Sequence, residues 1–213
     1  MPSSTESVIT LERFAKGKTF QQYLDSGIRN KDLFENNYNG LTISDAQAKA
    51  LKDLAALPNG PRRVVVIGED WCPDVYRGTG VAQKVAETMG IEFRFFERDQ
   101  NKDMIAEYLK GGEFESIPVF VFYDKDQKEI IHFIERPQLA NEQIHVTRDV
   151  IGDVSPAAIA ARLGHEPSEE ELAAERAKSR ERYLTWQRES AEWANWRVAT
   201  VDELISMMQA KLS

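Results

Sequence analysis

The sequence predicts an α/β protein built on a central mixed sheet of about four strands in the order βαβαββ, flanked by helices, with helical extensions at both ends. Three observations carry this. The run Arg63 to Ile67 is β-branched without polar alternation, as a central strand covered on both faces requires. Directly after it the period changes, and Val75, Gly78, Ala82, Val85, Ala86 and Met89 fall on one face of a helix that Gly90 ends. Turn residues from Asp124 to Lys128 then separate two apolar runs, Val119 to Tyr123 and Glu129 to Ile134, which predicts an antiparallel hairpin.

The remaining elements follow in order. The first sixty residues read as helices over Phe20 to Ser26, Lys31 to Asn36, and Ser44 or Asp45 to Leu57, where Pro58, Asn59 and Gly60 stop the last one. Ile91 to Glu97 reads as a strand and Lys102 to Lys110 as a helix closed by Gly111 and Gly112. A right-handed crossover makes the first two strands parallel neighbours. Beyond Pro137 helices are expected around Leu139 to Ile151 and Ser155 to Leu163. Ser168 with Glu171 forms a capping box for a long helix that could reach Arg197, and Thr200 with Glu203 repeats the signal before a final amphipathic helix. We divide the chain into an N-terminal helical extension (1–60), a core (61–152) and a C-terminal helical extension (153–213).

Composition removes several function classes. The net charge is −8, with Lys and Arg interleaved among acids, so the basic footprint of a nucleic-acid binder is missing. No apolar run approaches the roughly 18 residues of a membrane span, and the start is polar, so a soluble protein that stays in the cytoplasm is expected. His132, His145 and His165 lack metal-ligand spacing, and Gly78 and Gly80 lie inside a helix instead of before one, so neither a metal, a phosphate loop nor any other cofactor is expected. The chain has one cysteine, Cys72, and therefore no internal disulfide. That thiol is either an inert core group or a reactive one.

Its setting favours reactivity. A strand feeding Trp71, Cys72, Pro73, Asp74 and Val75 at a helix start places the sulfur beside free backbone amides and the positive end of a helix dipole, which lower a thiol pKa. Glu69, Asp70 and Asp74 oppose this, because a nearby anion disfavours another. The residues alone leave the sign of the shift open.

The pattern Trp71-Cys72 after an apolar strand, with Ser116, Ile117, Pro118, Val119 and Phe120 before the hairpin, resembles the thioredoxin superfamily. Glu69 to Asp74, Arg98 and Asp99 with Asn101, Gly111-Gly112, Ser116 to Pro118 and Arg136-Pro137 are similar to its branch whose turn reads Glu-Asp-Trp-Cys-x-Asp, over roughly Phe20 to Pro137. The resemblance implies that Cys72 is the nucleophile and Trp71 its flanking aromatic. It implies that Pro118 is a cis-proline facing the thiol, and that Ile117 offers backbone to an extended substrate. Two departures follow. Val75 stands where the family has its second cysteine, and Val66 where it has a buried acid.

Both losses restrict any chemistry to a monothiol route: exchange through a mixed disulfide with a small thiol or a protein cysteine, released by an external thiol. Such an oxidoreductase would react with iodoacetamide well below pH 8, with an inflection in the roughly 3.5 to 7.5 range of activated thiols. The alternative is a non-catalytic adaptor that binds a partner through the Pro118 groove and the C-terminal aromatic helix. Whether the chain is an enzyme at all stays open between the two. Tyr183, Trp186, Trp193 and Trp196 on that helix read first as packing; a partner or homo-oligomer surface is the second reading. Asp74 reads as a helix-dipole complement, and Arg98 with Asp99 as a strand end and cap, before either reads as functional.

Overall fold

The computed structural model describes residues 7–213. Four helices precede the first strand: α1 (Leu11–Ala15), α2 (Phe20–Leu24), α3 (Lys31–Asn39) and α4 (Asp45–Ala56). Thr10, Thr19 and Ser44 cap α1, α2 and α4, the latter two with reciprocal bonds from Gln22 and Gln47. Then come β1 (Arg63–Gly68), α5 (Pro73–Met89), β2 (Glu92–Glu97), a single 3-10 turn at Arg98–Gln100, α6 (Lys102–Ile105), β3 (Val119–Tyr123) and β4 (Glu129–Ile134).

The sheet order is β2-β1-β3-β4. The strand β1 pairs parallel with β2, Val66 opposite Phe95, and antiparallel with β3, Val66 opposite Phe120. From Val64 to Ile67 it is wholly buried, as its unbroken apolar run requires. Asp124 Oδ1 accepts from the amides of Asp126 and Lys128, each at 2.9 Å, and this fixes the β3–β4 turn. The outer edge of β2 is not bare: Lys18 and Phe95 exchange backbone bonds of 3.0 and 2.7 Å. Tyr23 stacks on Phe95 from α2, ring centroids 3.7 Å apart, so the N-terminal helices are part of the core.

The helix α5 crosses α3 closely because Gly80 lacks a side chain: a Cβ there would lie 2.7 Å from the Tyr38 amide nitrogen. At α4, Arg62 donates to the carbonyls of Ala55 (2.6 Å) and Leu57 (3.1 Å), closing the helix end that Pro58 to Gly60 interrupt.

Three sequence expectations shift. The helix predicted over Lys102 to Lys110 stops at Ile105 and continues as turns, with Tyr108 N bonding Ile105 O at 3.0 Å; the tighter winding keeps Met104, Ile105 and Tyr108 all buried. The region Leu139 to Ile151 is two helices, α7 (Gln138–Glu142) and α8 (Ile144–Ile151). After α9 (Pro156–Leu163), the long helix breaks at Ser190 into α10 (Glu169–Glu189) and α11 (Ala191–Leu212). Ser190 leaves the helical conformation (ψ 145°) and its Oγ accepts from the Trp193 amide at 3.1 Å, so the cap lies here and Thr200 sits buried inside α11.

The chain forms two compact units. One holds the described residues up to Arg136 together with Arg197–Ser213; Arg197 binds Asn37 Oδ1 and the Gly40 carbonyl at 3.0 and 3.2 Å within it. The other is Pro137–Trp196. In it Ser179 Oγ donates to the Ile151 carbonyl at 2.6 Å, and Tyr183, Trp186, Trp193 and Trp196 pack ring on ring with centroids 5.4 to 5.9 Å apart.

Candidate active site

The chain leaves β1 at Gly68 and reaches α5 within four residues. Cys72 is the N-cap residue of α5 and Pro73 its first helical residue, where a missing amide costs nothing. The Cys72 carbonyl accepts from the amides of Val75 and Tyr76 at 3.1 and 3.2 Å. Its side chain is partly exposed, and Sγ makes a long hydrogen bond of 3.8 Å to the Ile117 carbonyl. The Ile117–Pro118 peptide is cis. Pro118 is held from its other side, since its carbonyl accepts from Glu135 N at 2.7 Å. Beneath it lies Gly78, where a Cβ would stand 3.1 Å from Pro118 Cγ and 2.8 Å from Phe120 Cζ. The glycines read as intrahelical are therefore close-approach points, Gly80 for α3 and Gly78 for the proline loop.

Burial pushes the Cys72 thiol above the ordinary cysteine value. The backbone amides of Val75 and Asp74 and the charge of Arg77 favour the thiolate, while the Asp74 carboxylate disfavours it; desolvation decides the balance. The shift is thus upward, opposite in direction to the one that an inflection between roughly 3.5 and 7.5 requires. The helix start supplies its amides, but burial, with the Ile117 carbonyl 3.8 Å from Sγ, withdraws the sulfur from the water that would solvate an anion.

Val75 is fully buried and fills the space over Gly68, where a Cβ would meet Val75 Cγ1 at 2.6 Å. Val66 is likewise buried in β1, with hydrophobic residues opposite it on both neighbouring strands. Asp74 Oδ1 binds Arg77 Nη2 at 2.6 Å and Oδ2 binds Arg136 Nη2 at 2.8 Å, so it is held as an ion-pair partner and does not offer a free base. Arg77 is 1% exposed. Arg136 in turn pairs with Glu135, which pairs with Lys110. The Asp74–Arg77 pair was accessible from the three-residue helical spacing; nothing in local sequence assigns Arg136 to Asp74.

At the outer rim Trp71 is 49% exposed, and the Arg98 guanidinium lies over its ring at 5.6 Å. Arg98 also bonds Asp99 Oδ1 (2.8 Å) and approaches Glu115 Oε2 (3.9 Å), so it joins the thiol turn to the loop before Pro118. Glu69 accepts from the Asp99 amide at 2.8 Å, and Asp70 from the Arg29 amide at 2.7 Å. Asn101 starts α6, but its side chain bonds back to the Glu97 carbonyl at 2.8 Å and so does not cap the helix, and Asp99 is occupied by Arg98 and Lys102. Among the described residues no group of three His, Cys, Asp or Glu side chains converges on a point that could hold a metal, and no helix is long and apolar enough to cross a membrane.

A search of curated proteins finds no match. Among solved structures, the 1.5 Å crystal structure of a protein of unknown function from Pseudomonas aeruginosa is similar over 92% of this chain and 95% of that one, at 16% identity and a TM-score of 0.59. An HIV epitope-scaffold is similar over 93% and 96%, at 17% identity and a TM-score of 0.58. These likenesses show the fold. The thioredoxin family model matches residues 17–149, which take in all four strands, the Cys72 turn and the Pro118 loop. The chain belongs to the thioredoxin family.

Proposed function

We propose that the protein is a monothiol exchange protein in which Cys72 forms a mixed disulfide with a protein cysteine or a small thiol. The observation that supports this is the place of Sγ: partly open at the start of α5 and 3.8 Å from the Ile117 carbonyl, so that a chain laid along Ile117 brings its own sulfur to Cys72. In the step itself the Cys72 thiolate attacks one sulfur of a disulfide. The substrate S–S bond breaks, a Cys72–sulfur bond forms, and the departing thiolate takes up a proton equivalent to the one Cys72 gave up. An external thiol reverses the sequence, with no net oxidant consumed. Val75 in place of a second cysteine supports the monothiol route, and we place the chain in the branch marked by Glu69 to Asp74. A reducing cytoplasm would supply the releasing thiol.

A thiol held protonated by burial attacks slowly at neutral pH and also leaves slowly, so the mixed disulfide is long-lived. Capture fits this sulfur better than rapid turnover. The test is intact-mass analysis after incubation with glutathione disulfide or a cystine peptide: the wild type gains one adduct that dithiothreitol removes, and Cys72→Ser gains none. Absence of any adduct on the wild type at pH 9 would remove the proposal.

The raised thiol also favours a second reading, a non-catalytic adaptor that binds a partner along the Pro118 groove. Trp193 and Trp196 are each 1% exposed, so this reading no longer draws on them as a surface. It expects Cys72→Ser to keep the same captured partner.

A further inference from the structure

Two aromatic side chains face solvent in the segments that meet at the thiol, Trp71 at 49% and Phe114 at 64% exposure; among the described residues every other large hydrophobic left exposed is aliphatic. Exposed aromatics are enriched at contact surfaces. Phe114 is held there by its backbone. Lys110 and Phe114 exchange two backbone bonds of 2.8 and 3.1 Å, Gly111 and Gly112 turn with φ of 63° and 79°, and Ser116 N bonds the Phe114 carbonyl at 2.8 Å. Three residues after Phe114 is the Ile117 carbonyl that meets Cys72 Sγ. Arg98, between the Trp71 ring and Glu115, links the two aromatic segments.

Each aromatic stands beside acids: Glu69 and Asp70 precede Trp71, and Glu113 and Glu115 flank Phe114. The nearby cations are already used. Lys102 binds Asp99 and Glu115 at 3.1 and 2.6 Å, and Arg98 binds Asp99. Glu69 and Asp70 accept backbone amides, from Asp99 and Arg29. Behind the thiol, Arg77 and Arg136 are committed to Asp74. The two segments thus present exposed aromatics with acidic neighbours, on a chain of net charge −8.

Resting on the exchange reading above, we propose that the substrate of Cys72 is a polypeptide cysteine flanked by an apolar side chain and by Lys or Arg, and not glutathione, whose net negative charge this border repels. The apolar neighbour lies between Trp71 and Phe114, and the cation reaches Glu113 or the Glu69–Asp70 pair. The covalent step is the exchange already written, with the peptide sulfur retained on Cys72 and its former disulfide partner released as a thiol.

The test uses three mixed disulfides of thionitrobenzoate: with a Lys/Leu-flanked cysteine peptide, with an Asp/Leu-flanked peptide of equal length, and with glutathione. Release of the coloured thiol gives the rate, and intact mass identifies the group kept on Cys72. The basic peptide should react roughly tenfold faster than the acidic one at low salt, with the gap closing at high salt. Glu113→Gln combined with Asp70→Asn should narrow it, and Phe114→Ala should slow both peptides. Equal rates for the two peptides, or glutathione as the fastest, would overturn the proposal. Should no compound react, the exchange reading fails and the surface is read separately: Cys72→Ser protein should bind a cysteine-free Lys/Leu peptide more tightly than its Asp/Leu counterpart by fluorescence anisotropy, and no preference there would overturn it.

Discussion

Asp74 and Arg136 meet at 2.8 Å, which ties the first turn of the thiol-bearing helix to the chain just beyond β4. The same carboxylate holds Arg77, so one anion faces two guanidiniums, one of them fully buried. Asp74→Asn removes that anion and should lower stability by about 2 to 4 kcal/mol, read from urea unfolding. It should also move the Cys72 alkylation inflection down, because the carboxylate disfavours the thiolate while Arg77 favours it. In the wild type the inflection should lie above the ordinary cysteine value of about 8.5. A wild-type inflection below pH 8, or an upward move in the variant, would contradict this electrostatic account.

Strand, turn and helix around Cys72 were legible because each carries its own period and punctuation: Val64 to Ile67 without alternation, Pro73 at a helix start, Gly90 at its end. The long-range features were not. The Asp74–Arg136 pair depends on how β4 returns past Pro118, and the sign of the thiol shift depends on cover from Ile117. The break at Ser190 went unread because Thr200 with Glu203 offers the same serine/threonine and glutamate spacing, and only the Trp193 amide bond to Ser190 identifies the real cap.

Val75 occupies the position of a second thiol, buried three residues into α5. Val75→Cys keeps an apolar group over Gly68 at a cost of about 1 kcal/mol. Under oxidation it should join Cys72, so that neither sulfur takes up iodoacetamide and the intact mass falls by two hydrogens. If both thiols remain open to alkylation after oxidation, the turn does not present them to one another.

His132 Nδ1 lies 2.7 Å from Glu129 Oε1, and Glu129 Oε2 accepts from Tyr108 OH at 3.1 Å. The hydrogen bond raises the His132 pKa; burial raises that of Glu129, but the bonds from His132 and Tyr108 bring it below the usual value. A raised histidine contributes stability below its unfolded pKa of about 6.5 that is lost as pH rises through the folded value. A lowered glutamate contributes above its unfolded pKa of about 4.3, and that part is lost as pH falls. His132→Gln should therefore cost most between about pH 5 and 6, and at most about 1 kcal/mol for so exposed a pair. A loss that grows toward pH 8 would reverse the assignment.

Gly78 and Gly80 separate the stability of the fold from the geometry of the sulfur. Alanine at either gains about 1 kcal/mol of helix propensity, against an overpacking cost of about 1 to 3 kcal/mol. At Gly80 the obstacle is the α3 backbone at Tyr38, which cannot swing aside, so Gly80→Ala should destabilise without altering Cys72 rates in the folded protein. At Gly78 the obstacles are Phe120, fully buried and stacked on Phe133 with centroids 5.4 Å apart, and Pro118. Phe120 is the less free to move, so the strain goes to the Pro118 loop and carries Ile117 away from Sγ. Gly78→Ala should thus change the rate of adduct formation at Cys72 while losing only about 1 kcal/mol or less. Identical Cys72 kinetics in the two variants, measured by iodoacetamide uptake under native conditions, would show that Pro118 does not govern access to the thiol.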